Sequence, residues 1–324
     1  MYIIEKMASV TVTAVTATAA AAAAAEAEDL STSMLTPKFV LQVVGITPAK
    51  LLSRPSIKCP SVGLLSDVLV LKDSRIALAH TPSLSCGGMV ESGADIFVAV
   101  CPPEDYELSL SGNSEQFTHS VFLYHYKETP ENDQIICVNP HVAIEIMESA
   151  IEKNLMRLLP PVKQFKRNVP LQLEGKINSI FSFVGICQNG KPFIMDVNNV
   201  PLAEYNHGLP NAFSKITPAT SEYDFNTKSA YFPEKNADSR EMIRRINELA
   251  IIASESSVRC FIAYVVQRTD IDKFELSVYD TAYRTAVKTA VDKGVCIISI
   301  VVSWTNDGNA IFVTDELSVL KPNL

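Results

Sequence analysis

Asp196 and Asn198 stand one residue apart near the end of an apolar run, PFIMDVNN, that follows a turn at Gln188-Asn189-Gly190. Side chains alternate along a strand, so the two point the same way. A carboxylate placed like this could begin a divalent-cation site. Mg²⁺-assisted cleavage of a phosphodiester needs carboxylates on adjacent strands to hold the ion. It also needs a nearby lysine to position or activate water and to offset charge on the phosphate. The usual layout is an acid on the first strand, then acid, spacer and lysine on the second. Here the first strand, SIFSFVGI, offers Ser182, and Asn198 stands in the lysine position. Asn198 supplies a dipole where that chemistry wants a charge. On spacing alone, a capped strand end is the better account, because Asp and Asn commonly start loops.

Other chemistries lack their marks. The chain has no His-Glu-x-x-His, no Gly-x-Ser-x-Gly, no phosphate loop ending in Gly-Lys-Ser/Thr and no dinucleotide fingerprint opening a helix. Gly87, Gly88 and Gly93 fall between expected strands and read as turn residues. The five histidines are scattered.

The elements that must position Asp196 follow from patterning. FVLQVVGI, VGLLSDVLVL, RIALAHT, DIFVAV and VFLYHY are short β-rich runs broken by Pro, Gly, Ser and Asp, the spacing of a small barrel or sandwich. A helix is expected over about residues 142–158, with Ile144, Met147, Ile151 and Leu155 on one face and Pro160-Pro161 ending it. That break is taken as a domain boundary. Beyond it, SIFSFVGI and PFIMDVNNVPL flank a hairpin turn. Residues 204–230 lack periodicity and read as an exposed loop. Ser239 opens a helix carrying Met242, Ile243, Ile246, Leu249 and Ala250 on one face. VRCFIAYVV is a continuous apolar run, as expected of a strand buried on both faces. A helix over about residues 280–293, stopped at Gly294, leads to a second buried run, VCIISIVVSW. This is a parallel βαβ unit, with Cys260 and Cys296 expected on neighbouring buried strands.

Length and composition bound the rest. The 324 residues suit two domains, and 47% hydrophobic residues suffice for real cores. A net charge of −8 argues against a strong sequence-blind grip on polyanions, though it leaves room for a local basic groove. The seven cysteines form no Cys-x-x-Cys pair and are odd in number, which points to a reducing, intracellular and cytoplasmic setting. Residues 8–25, ASVTVTAVTATAAAAAAA, read as a disordered Ala/Thr leader, with a targeting peptide as the alternative. Met7 is a second possible start. No later run reaches the roughly 18 apolar residues needed to span a bilayer, so no membrane partner is expected.

From about residue 65 to 304 the chain resembles the sugar fermentation stimulation protein family (SfsA). His80-Thr81-Pro82-Ser83 followed by Gly87, Gly88 and Met89 is similar to that family's His-Cys-Pro-Asn-Thr-Gly-x-Met segment. Residues 90–100, with Gly93, resemble its turn into a strand. Cys137-Val138-Asn139 resembles its Val-Asn-Thr before a helix. Residues 196–202, DVNNVPL, resemble its Glu-Val-Lys-Asn-Val-Thr-Leu, and Tyr231-Phe232-Pro233-Glu234 its Tyr-Phe-Pro-Asp. Residues 245–249 fall on its His-Leu-x-Glu-Leu helix. Gln267-Arg268, Asp280, Tyr283, Ala290 and Gly294-Val295 fit its last βαβ unit.

The resemblance implies an α+β protein: an OB-like β-barrel followed by a restriction-endonuclease-like α/β domain. The expected layout is a leader over 1–36, a barrel with its trailing helix over 37–160, and the nuclease-like domain over 161–324. The resemblance also implies weak, nonspecific binding of DNA or RNA. Its catalytic acids and lysine fall on Asn168, Ser182, Asp196 and Asn198, so only Asp196 remains charged. Glu174 and Glu204 are possible stand-in ligands. The reading is a degenerate, inactive nuclease site with no cofactor, or Mg²⁺ held poorly at Asp196. Candidate nucleic-acid contacts are His80, Lys163, Lys166, Arg167, Arg244 and Arg245, the last two favoured because they lie on the helix lining the site in the family. An active Mg²⁺ nuclease with substituted ligands and a protein-interaction scaffold are the alternatives.

Overall fold

The computed structural model describes residues 37–81, 88–101, 117–129, 132–173, 175–205, 227–235, 237–317 and 319–320. The leader, Pro82, Ser83, Cys86, Gly87, Glu174 and most of the 204–230 stretch lie outside them.

The strands run β1 (Lys38–Gln42), β2 (Thr47–Ser53), β3 (Leu65–Val70), β4 (Arg75–His80), β5 (Asp95–Val100), β6 (His119–Thr129) and β7 (Asn132–Cys137). Alternate residues of β2 to β6 turn inward, among them Ala49, Leu51, Val68, Val70, Ala77, Ala79, Ile96, Val98 and Val121. Period-two burial of this kind makes one face of each strand a core face. β3 pairs with β2 and β4, and β5 with β2 and β6, all antiparallel. A parallel β4–β6 pairing, Ala79 opposite His119, closes the ring. Five strands in the ring order β2-β3-β4-β6-β5 make the barrel OB-like. β7 adds to β6 outside the ring.

The first strand corrects the sequence reading. β1 leaves the barrel and forms the edge of the other large sheet beside β16 (Asn309–Thr314). The turn after it is held there by a bond from Val43 N to Gly308 O of 2.8 Å. Gly308 has φ +79°, and a Cβ there would meet Val43 O at 2.6 Å, so only glycine fits. Periodicity reports that a segment is a strand but not which sheet receives it.

The trailing helix α1 is Pro140–Glu152, shorter than expected. Asn139 caps it by accepting from His141 N at 3.1 Å, and proline sits in the first turn. It stops well before Pro160 because Asn154 adopts φ +52° and the N–H groups of Asn154 and Leu155 close on Ile151 O and Ala150 O. Asparagine tolerates this left-handed position. Leu155 therefore lies past the helix, and the buried face is Val142, Ala143, Ile146, Met147, Ala150 and Ile151.

After α1 come β8 (Val162–Leu173), β9 (Ile177–Cys187), β10 (Pro192–Val200), β11 (Ala203–Tyr205), β12 (Lys228–Phe232), α2 (Arg240–Glu255), β13 (Arg259–Val266), β14 (Lys273–Leu276), α3 (Thr281–Asp292), β15 (Cys296–Trp304), β16 and β17 (Val319–Leu320). The order β1-β16-β15-β13-β10-β9-β8 forms a seven-stranded mixed sheet, and β11, β12, β14 and β17 form a smaller one. β10, β13 and β15 are parallel neighbours, as the apolar runs implied. Cys260 on β13 is buried and Cys296 on the adjacent β15 is half-buried. Asp280 caps α3 by accepting from Tyr283 N at 2.8 Å, and Gly294, φ +98°, ends it. α1 covers one face of the large sheet through Phe183, Phe193, Met195, Phe261, Ala263 and Val265. α2 packs on α3 and lies against strands β9 and β13. From Phe39 onward the chain forms one compact unit.

Candidate nuclease-type site

The antiparallel register of β9 and β10 pairs Ile194 with Val184 and so sets Ser182 beside Asp196. On the other side, the parallel register pairs Asp196 with Ile262 and Asn198 with Tyr264. β8 brings Asn168 between the Arg167–Phe183 and Val169–Phe181 pairs, next to Ser182. The four positions assigned by resemblance therefore converge on neighbouring strands.

Their chemistry is mostly committed elsewhere. Asp196 is 4% exposed, and its Oδ2 accepts from Arg245 Nε at 3.1 Å. Burial pushes its carboxyl above the usual range. Arg245, the Ser182 hydroxyl and their bonds oppose that rise without cancelling it. The Ser182 hydroxyl also accepts from Val197 N at 3.0 Å. The Asn198 amide donates to Ala263 O at 3.5 Å. Asn168 is exposed and sits at φ +49°. Behind them, the hydroxyls of Tyr264 and Tyr283, both fully buried, share a 2.8 Å bond, and burial pushes both upward.

A divalent cation does not fit this arrangement. The one acidic oxygen with known geometry is bonded to a guanidinium, and its strand neighbours are neutral. Among the described residues no group of three or more His, Cys, Asp and Glu side chains could hold a metal ion. Glu204, the other proposed stand-in ligand, accepts from the Tyr279 hydroxyl at 2.8 Å.

The basic candidates are scattered and largely paired. Arg245 is turned inward to Asp196, with 25% of its side chain exposed. Arg244 bonds to Glu241 and to Asn178 O, and lies 3.6 Å from Glu248. Arg167 pairs with Glu148 at 2.7 Å. Lys163 and Lys166 stand exposed with Arg167 on β8, the outer strand of the large sheet. His80 belongs to the barrel, where its ring lies 5.2 Å from that of Phe117 and burial, then His141, lower its pKa. Acids on their own helix and on β10 hold Arg244 and Arg245, the two favoured candidates.

A second charged cluster was not foreseen. Lys228 Nζ reaches Glu128 Oε2 and Asp270 Oδ2, both at 2.6 Å. Arg268, 2% exposed, donates to both oxygens of Asp270 at 2.6 Å. The Tyr126 ring lies under both cations, 5.0 Å from Lys228 and 4.8 Å from Arg268. Burial would raise the Asp270 carboxyl, but Arg268 and Lys228 outweigh it and hold it at about 2. Burial would lower Lys228, but its acids outweigh that and raise it. Glu128 and Tyr126 come from barrel strand β6, so this cluster joins the barrel to the second half. Its one signal in the sequence is the charged run Arg268-Thr269-Asp270-Ile271-Asp272 straight after a buried strand.

Residues 221–308 match the family model of the sugar fermentation stimulation protein RE domain. The fold of the chain is similar to that of Pyrococcus furiosus SfsA, solved in complex with Ca²⁺, with a TM-score of 0.63 at 16% identity, over 87% of this chain and 98% of that one. The chain thus has the expected α+β fold, with an OB-like five-stranded barrel ahead of a mixed sheet. No curated protein matches. No described helix is long and apolar enough to cross a membrane.

Proposed function

We propose that this SfsA-type protein is a nuclease-like scaffold that does not hydrolyse phosphodiesters and binds DNA or RNA weakly and without sequence preference. One observation carries the reading: the last acid of the site, Asp196, is neutralised from within by Arg245, between uncharged Ser182 and Asn198. The position where that chemistry wants a lysine holds Asn198, a neutral amide that cannot offset charge on a phosphate. Binding is assigned to the outer strand β8, where Lys163, Lys166 and Arg167 stand exposed. Such a stripe contacts backbone phosphates, which position a nucleic acid without reading it. The test pairs two assays on the wild-type protein. Plasmid and single-stranded DNA incubated with Mg²⁺ or Mn²⁺ should remain intact. Fluorescence anisotropy should report salt-sensitive binding, with the salt slope reduced by roughly two units in Lys166→Ala/Arg167→Ala. Cleavage abolished by Asp196→Ala would establish the active-nuclease alternative.

A protein-interaction role is favoured by a different observation. Ile57, Leu71, Ile76 and Val100 of the barrel half are large apolar side chains left exposed. Absence of binding to any nucleic acid at low salt would transfer the proposal to that role.

A further inference from the structure

Two open clefts adjoin His125 where the barrel meets the large sheet. The first, about 510 Å³, is lined by Phe97 and His125 of the barrel, by the turn between β1 and β2, and by Asn306 and Asp307 of the turn between β15 and β16. The second, about 380 Å³, is lined by His125 and Asp133 of β6 and β7 and by Trp304 and Asn306 at the end of β15. His125 and Asn306 line both, so an extended molecule can pass from one cleft to the other. Small-molecule sites commonly have volumes of roughly 300–1,000 Å³ and favour junctions of this kind. We propose that the two clefts together bind an aliphatic diamine or polyamine, with one ammonium group at Asp133 and another at Asp307.

The sign of the charge selects the ligand. Each cleft holds one carboxylate, and among the described residues neither lining includes a lysine or arginine. Asp307 is exposed and has no ion pair among the described residues. The Asp133 Oδ1 is bonded to His125 Nε2, which leaves its second oxygen for a ligand. Lys127, the strand partner of Asp133, lies 3.8 Å from Asp95 instead. A cleft walled by one sign of charge concentrates the opposite sign, and a net charge of −8 adds to that field. Between the two acids, Phe97, Trp304 and the turn at residues 43–46 offer apolar surface. An alkyl chain lies along such surface while its charged ends stay in water. A single metal ion is a poor match, because among the described residues no three ligating side chains gather. A monoamine would use only one of the acids. The phosphates of a nucleic acid have the wrong sign, so this site is separate from the binding assigned to β8.

The test is titration of the full chain, freed of nucleic acid, with spermidine, putrescine, butylamine and MgCl₂ at matched ionic strength. Calorimetry measures affinity, and fluorescence reports on the second cleft, because Trp304 is the one tryptophan of the chain. Spermidine and putrescine should bind with millimolar or better affinity and more tightly than butylamine or Mg²⁺. Asp133→Asn and Asp307→Asn should each weaken spermidine binding about two- to fivefold, and the double variant about tenfold, as expected of exposed ion pairs. Asp292→Asn removes an exposed acid of α3 outside both clefts and should bind as wild type does. The proposal is overturned by absence of spermidine binding up to about 20 mM. It is equally overturned by matching affinity for butylamine or Mg²⁺, by undiminished binding in the double variant, or by an equal loss in Asp292→Asn.

Discussion

Asp196 and Asp270 are carboxylates of equal length, both less than a tenth exposed, and each faces an arginine. Their surroundings drive them in opposite directions. Asp270 receives two bonds from Arg268 and one from Lys228, with Glu128 and the Tyr126 ring completing the group, and its carboxyl is held at about 2. Asp196 has one guanidinium nitrogen and a serine hydroxyl, and burial wins. A buried ion pair is secure when its remaining lone pairs and protons are also satisfied, and marginal when they are not. The junction between barrel and sheet meets that condition. The candidate nuclease-type site does not.

The largest effect should come from the junction. Asp270→Asn leaves Arg268 and Lys228 buried with reduced compensation and should cost about 3–5 kcal/mol. Urea unfolding measures it, and a loss below about 1 kcal/mol would remove the contrast between the clusters. Arg245→Ala should cost less, about 1–3 kcal/mol, because Arg245 is partly solvated and Asp196 can take up a proton.

The pH dependence has opposite signs at the two acids. Asp270 is lowered in the fold, so its contribution is present above the unfolded value of 3.8 and fades as pH falls toward 2. The gap between wild type and Asp270→Asn should therefore narrow in that window. Asp196 is raised, so the folded protein binds its proton more readily than the unfolded chain does. Wild type should then gain stability relative to Asp196→Asn as pH falls toward 3.8. Parallel shifts for both variants would refute the assignment. The smallest effect belongs to Asp196→Asn/Arg245→Leu, which removes both charges together and should stay within about 1 kcal/mol of wild type.

What the sequence revealed followed from local rules. The turn at Gln188–Gly190, the βαβ pair of apolar runs and the stop at Gly294 depend on neighbours in the chain. They were readable for that reason. The placement of β1 with β16, the stop at Asn154 and the Lys228 cluster depend on partners tens of residues away or on one backbone angle. The candidate site was half readable. Resemblance located Ser182, Asp196 and Asn198, and strand alternation put Asp196 and Asn198 on one face. That Arg245 would turn inward was invisible, because a helix pattern of alternating charges reads as a solvated face until its packing angle is known.

Calorimetric titration of the wild-type protein with MgCl₂ tests the central claim most directly. With Arg245 holding Asp196, no heat of binding should appear at physiological Mg²⁺ concentrations. Stoichiometric binding that Asp196→Ala abolishes would contradict it.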